Sequence, residues 1–419
     1  MDKQNRKSLF SILFVAAMDN FGFGVVFVMF APLVFSPQYQ LVHEATSMGM
    51  RHVYLALLFA TFPLAQLFGA PILGDIADQI GRKKALYLSI LGVIIGFLIS
   101  GLSIIASSLS LLIFSRFFTG FFAGNLSICL SAIADLSPTE KIRSRNFGIV
   151  TVIWAVTWNI AMLVGGYLSD PTKSSFFSPA LPFWITAGFT ALSFFPLSKY
   201  YTESFVQEDR SKLNFSKGMR NIIDALKIPQ LRLFFATLTF WTLGWGLAVQ
   251  WYGTYGILKY EASQETISWG LFIQGITWAL GGSLFNPLLL RRYKTLPIAL
   301  IGLVGATLLL AVAGIASSYF TFCAFWWAAA AFASFALSNT MNLTSMHAPA
   351  EVQGKVMGLT QSMLSVGWTF TPLIGGFTGA KNIDLFYPAS ATLMGVALIL
   401  MLIQSKRASI ENTERALDE

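Results

Sequence analysis

Long apolar stretches separated by short polar segments follow one another along the whole chain. Each is long enough to cross a hydrocarbon core of about 30 Å, which takes about 20 mostly apolar residues in a helix. Runs such as Leu86–Leu98 do not alternate between apolar and polar residues, which excludes a transmembrane β-barrel. The pattern predicts an all-α membrane protein with twelve transmembrane helices, called spans 1 to 12, at residues 8–35, 50–73, 85–105, 108–132, 147–168, 180–198, 230–257, 266–290, 296–315, 319–344, 354–378 and 385–404.

Composition and charge support this interpretation. Of the 419 residues, 55% are hydrophobic and 11% are charged, whereas soluble proteins carry about 25% charged residues. With the N-terminus placed inside, 23 of the 28 lysines and arginines fall in inside segments, four fall in outside segments, and Arg116 lies within span 4. Because cytoplasmic loops carry such a basic excess, we predict a multi-pass protein of the plasma membrane, the inner membrane in a bacterium, with both termini cytoplasmic. The net charge of +8 then reflects topology rather than a nucleic-acid partner.

The two halves of the sequence repeat each other. An offset of 210 residues aligns Gly148 with Gly358 and the glycine pair 165–166 with the pair 375–376. Since each half holds six spans, an even number, the halves have the same orientation and form two parallel six-helix repeats. The predicted organisation is an N-terminal six-helix bundle, a cytoplasmic linker, a C-terminal six-helix bundle and a cytoplasmic tail, at residues 1–198, 199–229, 230–404 and 405–419. Apolar residues recur at helical spacing in the linker, which fits an interfacial helix or a solvated linker.

The loop after span 2 carries the most specific motif. It reads GDIADQIGRKK from Gly74 onward, and here the chain resembles the major facilitator superfamily, whose signature in this loop is G-x-L-a-D-r-x-G-r-k. Five positions fall in register with it: Gly74, Ala77, Asp78, Gly81 and Arg82. The resemblance implies the major facilitator fold and a cytoplasmic gate formed by Gly74, Asp78, Gly81 and Arg82, in which Asp78 fastens the loop to the second half. Leu288 stands where the second copy would repeat Asp78, so the gate carboxylate occurs once.

Two ionisable residues lie within the predicted spans, Asp19 in span 1 and Arg116 in span 4. A charge at such depth costs a few kcal/mol unless it is paired or hydrated. Counting residues from the ends of the two spans places both side chains at a mid-to-outer depth in the membrane, so we expect an ion pair between them. A pair that forms in one conformation and separates in another lets the carboxyl group take up and release a proton. We therefore predict that Asp19 is the proton-coupling group and Arg116 its modulator; a purely structural ion pair is the alternative.

Motifs within the spans extend the family resemblance. Asp19 precedes the G-x-G at 22–24 in a segment similar to the first span of the tetracycline-resistance and related drug:proton antiporters, and Arg116 with Gly120 matches the superfamily's R-x-x-x-G signature. Gly120 and Gly124 also form a small-residue face for close helix packing. Span 5 keeps only the glycine pair of the antiporters' G-P-x-x-G-G. The resemblance implies a proton-coupled secondary transporter similar to drug antiporters; a proton-coupled importer of a nutrient or siderophore and a non-transporting receptor are the alternatives.

Aromatic and uncharged polar residues within the spans predict a central substrate cavity for a small organic solute. Trp241 and Trp245 lie one turn apart at mid-depth in span 7, as Trp154 and Trp158 do in span 5. Such faces either line a cavity for a planar or amphiphilic ligand or pack between helices. Polar groups assigned to orient the substrate include Asn125, Gln250, Gln274 and Asn339.

No catalytic or nucleotide-binding pattern is found. The three histidines match no metal-ligand spacing, and the chain has no G-x-x-x-x-G-K-[ST] loop. We therefore predict no enzyme activity, no metal and no cofactor. The predicted partners are a small-molecule substrate, protons and the lipid bilayer, and the protein is expected to be a monomer.

Overall fold

The computed structural model describes residues 3–36, 39, 41–137, 139–203, 231–348 and 353–418. A few side chains in these ranges, including that of Asp78, lie outside the description. Every regular element in the described ranges is helical, which confirms the predicted all-α class. Most of the predicted linker, with its candidate interfacial helix, lies outside the described residues.

Spans 1 to 6 are helices, three of which are interrupted. Side-chain oxygens of Ser47, Ser108 and Thr139 accept backbone N–H groups at the starts of spans 2, 4 and 5, and so satisfy N–H groups that have no partner inside the helix. The observed bounds are Lys3–Gly24, a 3₁₀ turn Val25–Val28 and Phe30–Phe35 for span 1; Met48–Ile80 for span 2; Arg82–Ile105 for span 3; Leu109–Phe122 and Asn125–Asp135 for span 4; Glu140–Leu168 for span 5; and Leu181–Leu192 and Phe194–Tyr200 for span 6.

Spans 7 to 12 are also helical. Span 8 contains a π-helical turn, a form found mainly as local bulges inside α-helices. The observed bounds are Arg232–Gln250 and Tyr252–Tyr260 for span 7; Gln264–Leu280, the π turn Gly281–Phe285 and Asn286–Leu290 for span 8; Thr295–Gly314 for span 9; Tyr319–Met346 for span 10; Gln353–Lys381 for span 11; and a 3₁₀ turn Ile383–Leu385 and Phe386–Asp418 for span 12.

Ten helices in the described ranges are long and apolar enough to cross a membrane. Spans 8 and 11 are not among these ten. The α-helix that opens span 8 has 17 residues before the π turn, and the 29-residue helix of span 11 is rich in Gly, Ser and Thr and contains Pro372. The two exceptions therefore differ from the others in continuity or in hydropathy, and not in being helical.

The chain divides into two compact units, Met1–Gly218 with Ser263–Phe272, and Met219–Ala262 with Ile273–Glu419. In the first unit, span 1 packs on span 5, and span 3 packs on spans 4 and 6. In the second unit, span 7 packs on span 11, and span 9 packs on spans 10 and 12. Each pairing in the first unit thus recurs six spans later, as expected for parallel repeats.

Small residues let spans 2 and 4 approach closely in the first unit. A Cβ atom on Gly124 would lie 2.7 Å from the Cα of Ala70, and one on Gly120 would collide with the backbone of Phe62. The small-residue face predicted from Gly120 and Gly124 is confirmed, and its partner is span 2.

Arg51, in the first turn of span 2, holds the preceding loop, which lies on the side of the membrane predicted to be outside and called the outer side from here on. Its guanidinium donates hydrogen bonds to the carbonyls of Val34 at 2.6 Å, His43 at 3.1 Å and Thr46 at 3.3 Å. The side chain is buried. These bonds satisfy one carbonyl in the last turn of span 1, that of Val34, and two carbonyls of the following loop.

Candidate functional site

Asp19 lies within span 1, and its neighbour in span 4 is Asn125. The Asn125 side chain is within interaction range of the Asp19 carboxyl group, and Asp19 is partly buried. Asn125 is 2% exposed, and its Oδ1 atom has no hydrogen-bond partner among the described residues. Asn125 opens a new helix because span 4 is interrupted after Phe122. The structure thus joins two residues that the sequence had assigned to separate roles.

Arg116 is buried but does not form the expected ion pair with Asp19. It is 1% exposed, and its guanidinium carbon lies 4.6 Å from the ring centroid of Phe62 and 5.5 Å from that of Phe30. Within the described part of the chain, its Nε and Nη1 atoms have no hydrogen-bond partner. Cation–π contacts of this kind contribute about 0.5 to 2 kcal/mol each, so the aromatic rings offset part of the cost of burying the charge.

The expectation of a common depth for the two charges was wrong. Arg116 lies seven residues into the helix that starts at Leu109 on the outer side, whereas Asp19 lies 16 residues before the outer end of span 1 at Phe35. Asn125, whose side chain neighbours Asp19, is nine residues beyond Arg116, about 13 Å along span 4 at 1.5 Å per residue. The acid and the base therefore lie more than two helical turns apart in depth.

Asn20 connects span 1 to span 5 beside the Asp19 position. Its Nδ2 donates to the Trp154 carbonyl at 2.8 Å and to Thr157 Oγ1 at 2.9 Å. One turn further along span 5, the Trp158 ring packs on Phe27, with centroids 4.9 Å apart. Both tryptophans are partly buried, so each keeps some accessible surface next to span 1. Their assignment to a substrate cavity stays a prediction.

The predicted cytoplasmic gate is held by two carboxylates that the sequence analysis did not single out. Glu203 accepts the backbone N–H groups of Arg82 at 3.2 Å and Lys83 at 2.9 Å, and so caps the start of span 3. Arg82 Nε donates to Asp135 Oδ2 at 3.3 Å, at the inner end of span 4. Gly81 joins spans 2 and 3 with φ of +94°, a conformation that favours glycine.

The remaining gate residues are Asp78 and Gly74, and the structure describes the surroundings of Gly74 alone. Asp78 lies in the last turn of span 2, and its side chain is outside the described residues, so its role as the fastening carboxylate stays a prediction. Gly74 lies inside the same helix, and no atom comes within 4 Å of a Cβ built there. The two gate glycines Gly74 and Gly81 therefore offer a matched test.

Gly81→Ala is expected to destabilise the protein, whereas Gly74→Ala is not. At Gly81 an added Cβ would meet the Glu203 carboxylate at 2.6 Å in a backbone conformation that L residues rarely adopt, and strain of this kind costs about 1 to 3 kcal/mol. At Gly74 the change lies in a helix with free space, where alanine is favoured by up to about 1 kcal/mol. Thermal unfolding of the two variants in detergent measures the difference, and equal melting temperatures would contradict the assigned role of Gly81.

Trp241 and Trp245 are buried in the second unit, each 4% exposed. Trp278 of span 8 packs against both, with ring centroids 5.9 Å and 5.4 Å away. Trp245 also stacks on Trp326 of span 10, at 6.3 Å and 16° between the ring planes. The Nε1 atom of Trp241 has no hydrogen-bond partner among the described residues. The pair predicted from span 7 thus belongs to a stack of four indoles from three spans, and its place in a substrate cavity stays a prediction.

The three polar residues predicted in the second unit differ in their bonding. Asn339 donates to Asn286 Oδ1 at 2.7 Å and to the Phe335 carbonyl at 2.9 Å, so both of its amide hydrogens are used next to the π turn of span 8. Gln250 is 3% exposed, and its Oε1 is without a hydrogen-bond partner in the described ranges. Gln274 is also buried. Gln250 therefore has an acceptor atom without a partner in the described ranges, and the place of these three residues in a substrate site stays a prediction.

Comparison with known proteins points to a single family. The model of the Major Facilitator Superfamily matches residues 9–315 and 254–416. The quinolone resistance protein NorA of Staphylococcus aureus (strain MRSA252) is 24% identical over 368 residues, which cover 84% of this chain and 88% of NorA. The class H tetracycline resistance protein of Pasteurella multocida is 29% identical over 164 residues, 39% of this chain and 38% of that protein's length. A crystal structure of a bacterial homologue of the human lysosomal transporter Spinster has a TM-score of 0.75 at 15% identity, covering 97% of this chain and 98% of that one.

Proposed function

We propose that this chain, which belongs to the Major Facilitator Superfamily and is a secondary transporter, exports a small organic solute in exchange for protons. The observation that carries the proposal is the intramembrane carboxyl group of Asp19 on span 1, with the Asn125 side chain of span 4 beside it. An intramembrane carboxyl group is costly and marks an ion pathway more often than a structural contact. Relatives named for quinolone and tetracycline resistance support a drug-like organic solute.

The Asp19–Asn125 pair is suited to both charge states of the carboxyl group. When Asp19 is ionised, the amide N–H of Asn125 can donate to its carboxylate. When Asp19 is protonated, its O–H becomes a donor, and the Oδ1 atom of Asn125 is a buried acceptor with no partner among the described residues. A single amide can therefore serve both charge states of Asp19.

Arg116 acts in this proposal through its charge and not through contact. Two charges whose positions differ in depth by about 13 Å, as estimated from the rise along span 4, interact only where the surrounding dielectric is low. The buried guanidinium therefore favours the ionised form of Asp19, and a change in hydration along span 4 alters that influence. This replaces the expected alternation between a closed and an open ion pair.

The solute proposed is partly aromatic or amphiphilic. Trp241 and Trp245 provide indole faces within the second unit, and Gln250 provides a free acceptor. Stacking on an indole tolerates varied aromatic ligands. We place the protein in the bacterial inner membrane as a monomer with both termini cytoplasmic, in line with the distribution of basic residues.

Purified protein in liposomes tests the exchange. Tetracycline, norfloxacin and ethidium are added to one side of vesicles that contain a pH-sensitive dye, without an imposed gradient. At least one of these solutes is expected to drive protons in the opposite direction, at a rate well above that of protein-free vesicles. Proton movement in the same direction as the solute would show symport, as expected for a proton-coupled importer. If none of the three solutes causes proton movement, proton-coupled drug export is contradicted.

A further inference from the structure

Hydrogen bonds and an ion pair join the start of span 8 to the outer end of span 5. Ser263–Phe272 belong to the first unit although the rest of span 8 belongs to the second. Within the first unit, Lys173 Nζ and Glu265 Oε2 lie 2.6 Å apart. Gln264 donates from Nε2 to Ser169 Oγ and accepts a hydrogen bond from Tyr39 at 3.4 Å. These five residues, Tyr39, Ser169, Lys173, Gln264 and Glu265, are called the outer clasp.

Charge and geometry both favour the ion pair of the outer clasp. The hydrogen bond to Glu265 raises the pKa of the Lys173 ammonium above its usual range, and the nearby Asp170 and Tyr167 act in the same direction. Because its pKa is raised, the Lys173 ammonium stabilises the ion pair at all pH values below the usual range for lysine. This stabilisation is lost only as the pH rises through the raised pKa. The Lys173 side chain is 20% exposed and also lies over the Tyr167 ring, 4.8 Å from its centroid.

The apolar surface beside the outer clasp is incompletely packed. A cleft of about 410 Å³ lies between spans 5 and 8 and is lined by Leu163, Val164, Leu168 and Trp269, among others. One turn below Glu265, Ser268 fits against Gly166, where a Cβ atom would collide with its hydroxyl. The two helix ends are therefore joined by a few polar contacts and one close approach instead of a continuous apolar seal. Such a contact can open and close without exposing a large hydrophobic area.

We propose that the outer clasp positions span 8 in the transport cycle: it closes the outer end of the solute pathway when formed, and it releases when the solute leaves to the outside. The proposal rests on the proposed transport function, since a protein that does not alternate has no need of a releasable contact. Glu265 and Lys173 are positioning residues, because they act on the helix ends and do not touch the solute.

Charge reversal tests the outer clasp without a substrate or a gradient. The reporter is Ser268→Cys, a buried position at 4% exposure, in full-length protein carrying Cys129→Ala and Cys323→Ala, which removes both native thiols. Whole cells are labelled from outside with a membrane-impermeant maleimide. Lys173→Glu and Glu265→Lys are each expected to raise the labelling rate at position 268 by about fivefold or more, because each places like charges in contact. The double reversal is expected to restore the parental rate within about twofold.

The control is the other outer ion pair, Lys259 with Asp384 at 2.8 Å in the second unit. Asp384→Lys is expected to leave labelling at position 268 unchanged. Gln264→Leu removes the uncharged contacts of the clasp and is expected to raise labelling even if a charge variant expresses poorly. Unchanged labelling in the single reversals, or a double reversal that fails to restore the parental rate, would overturn the proposal. Because labelling needs no solute, a failed antiport assay leaves this result interpretable.

Discussion

Asp19→Asn is expected to abolish transport driven by a pH gradient while leaving exchange of solute for solute intact. The substitution keeps the size of the side chain and leaves an amide that can hydrogen bond to Asn125, but it removes the group that binds and releases a proton. Accumulation of labelled solute in vesicles with an imposed gradient is expected to fall to the level of protein-free vesicles. Counterflow at equal pH on both sides requires no net proton movement and is expected to continue.

The matched control for this variant is Glu261→Gln, which removes an exposed carboxylate at the outer end of span 7. It is expected to retain gradient-driven transport. The hypothesis fails if the Asp19→Asn protein accumulates solute at the parental rate, because the proton would then be carried elsewhere. If counterflow is lost as well, Asp19 serves binding or conformational change and not coupling alone.

Arg116→Met is expected to fold at least as stably as the parent and to transport at least about tenfold more slowly. A cation at the centre of a membrane helix costs about 2.5 to 3.5 kcal/mol, and the contacts with Phe30 and Phe62, about 0.5 to 2 kcal/mol each, offset much of this cost. Replacing the guanidinium with an apolar chain of similar length removes both the cost and the contacts, so the stability is expected to stay the same or to rise by up to about 2 kcal/mol. The transport cycle loses the charge that favours ionised Asp19.

Thermal unfolding and proton-coupled transport of Arg116→Met and Arg116→Lys measure these opposite effects. Arg116→Lys keeps the charge and is expected to retain part of the transport rate without the gain in stability. A strongly destabilised Arg116→Met protein would show that the guanidinium makes a stabilising contact in the membrane. Parental transport by Arg116→Met would show that the charge has no part in coupling.

The spans, their order and the repeat could be predicted because the evidence for them is local or periodic. A long apolar segment indicates a transmembrane helix whatever that helix later packs against. The offset of 210 residues likewise reveals the repeat without knowledge of any contact. The face formed by Gly120 and Gly124 was predicted for the same reason, since spacing along one helix determines which residues share a face.

The partners of the site residues could not be predicted with the same evidence. Pairing Asp19 with Arg116 relied on counting residues from span ends, and this count fixes neither the rotation of a helix nor the interruption of span 4 before Asn125. Glu203 lies about 120 residues from the helix start that it caps, so no local pattern connects them. The partners of Trp241 and Trp245 come from spans 8 and 10, which only the packed unit brings together.

The bonds of Arg51 have a consequence for a protein that works between compartments of different acidity. A guanidinium stays charged and a backbone carbonyl stays neutral throughout the physiological pH range. The outer loop is held by bonds from Arg51 to the carbonyls of Val34, His43 and Thr46, and none of these groups titrates. External acidification therefore leaves these three hydrogen bonds unchanged, and a response of the outer loop to external pH has to originate in titratable groups outside them.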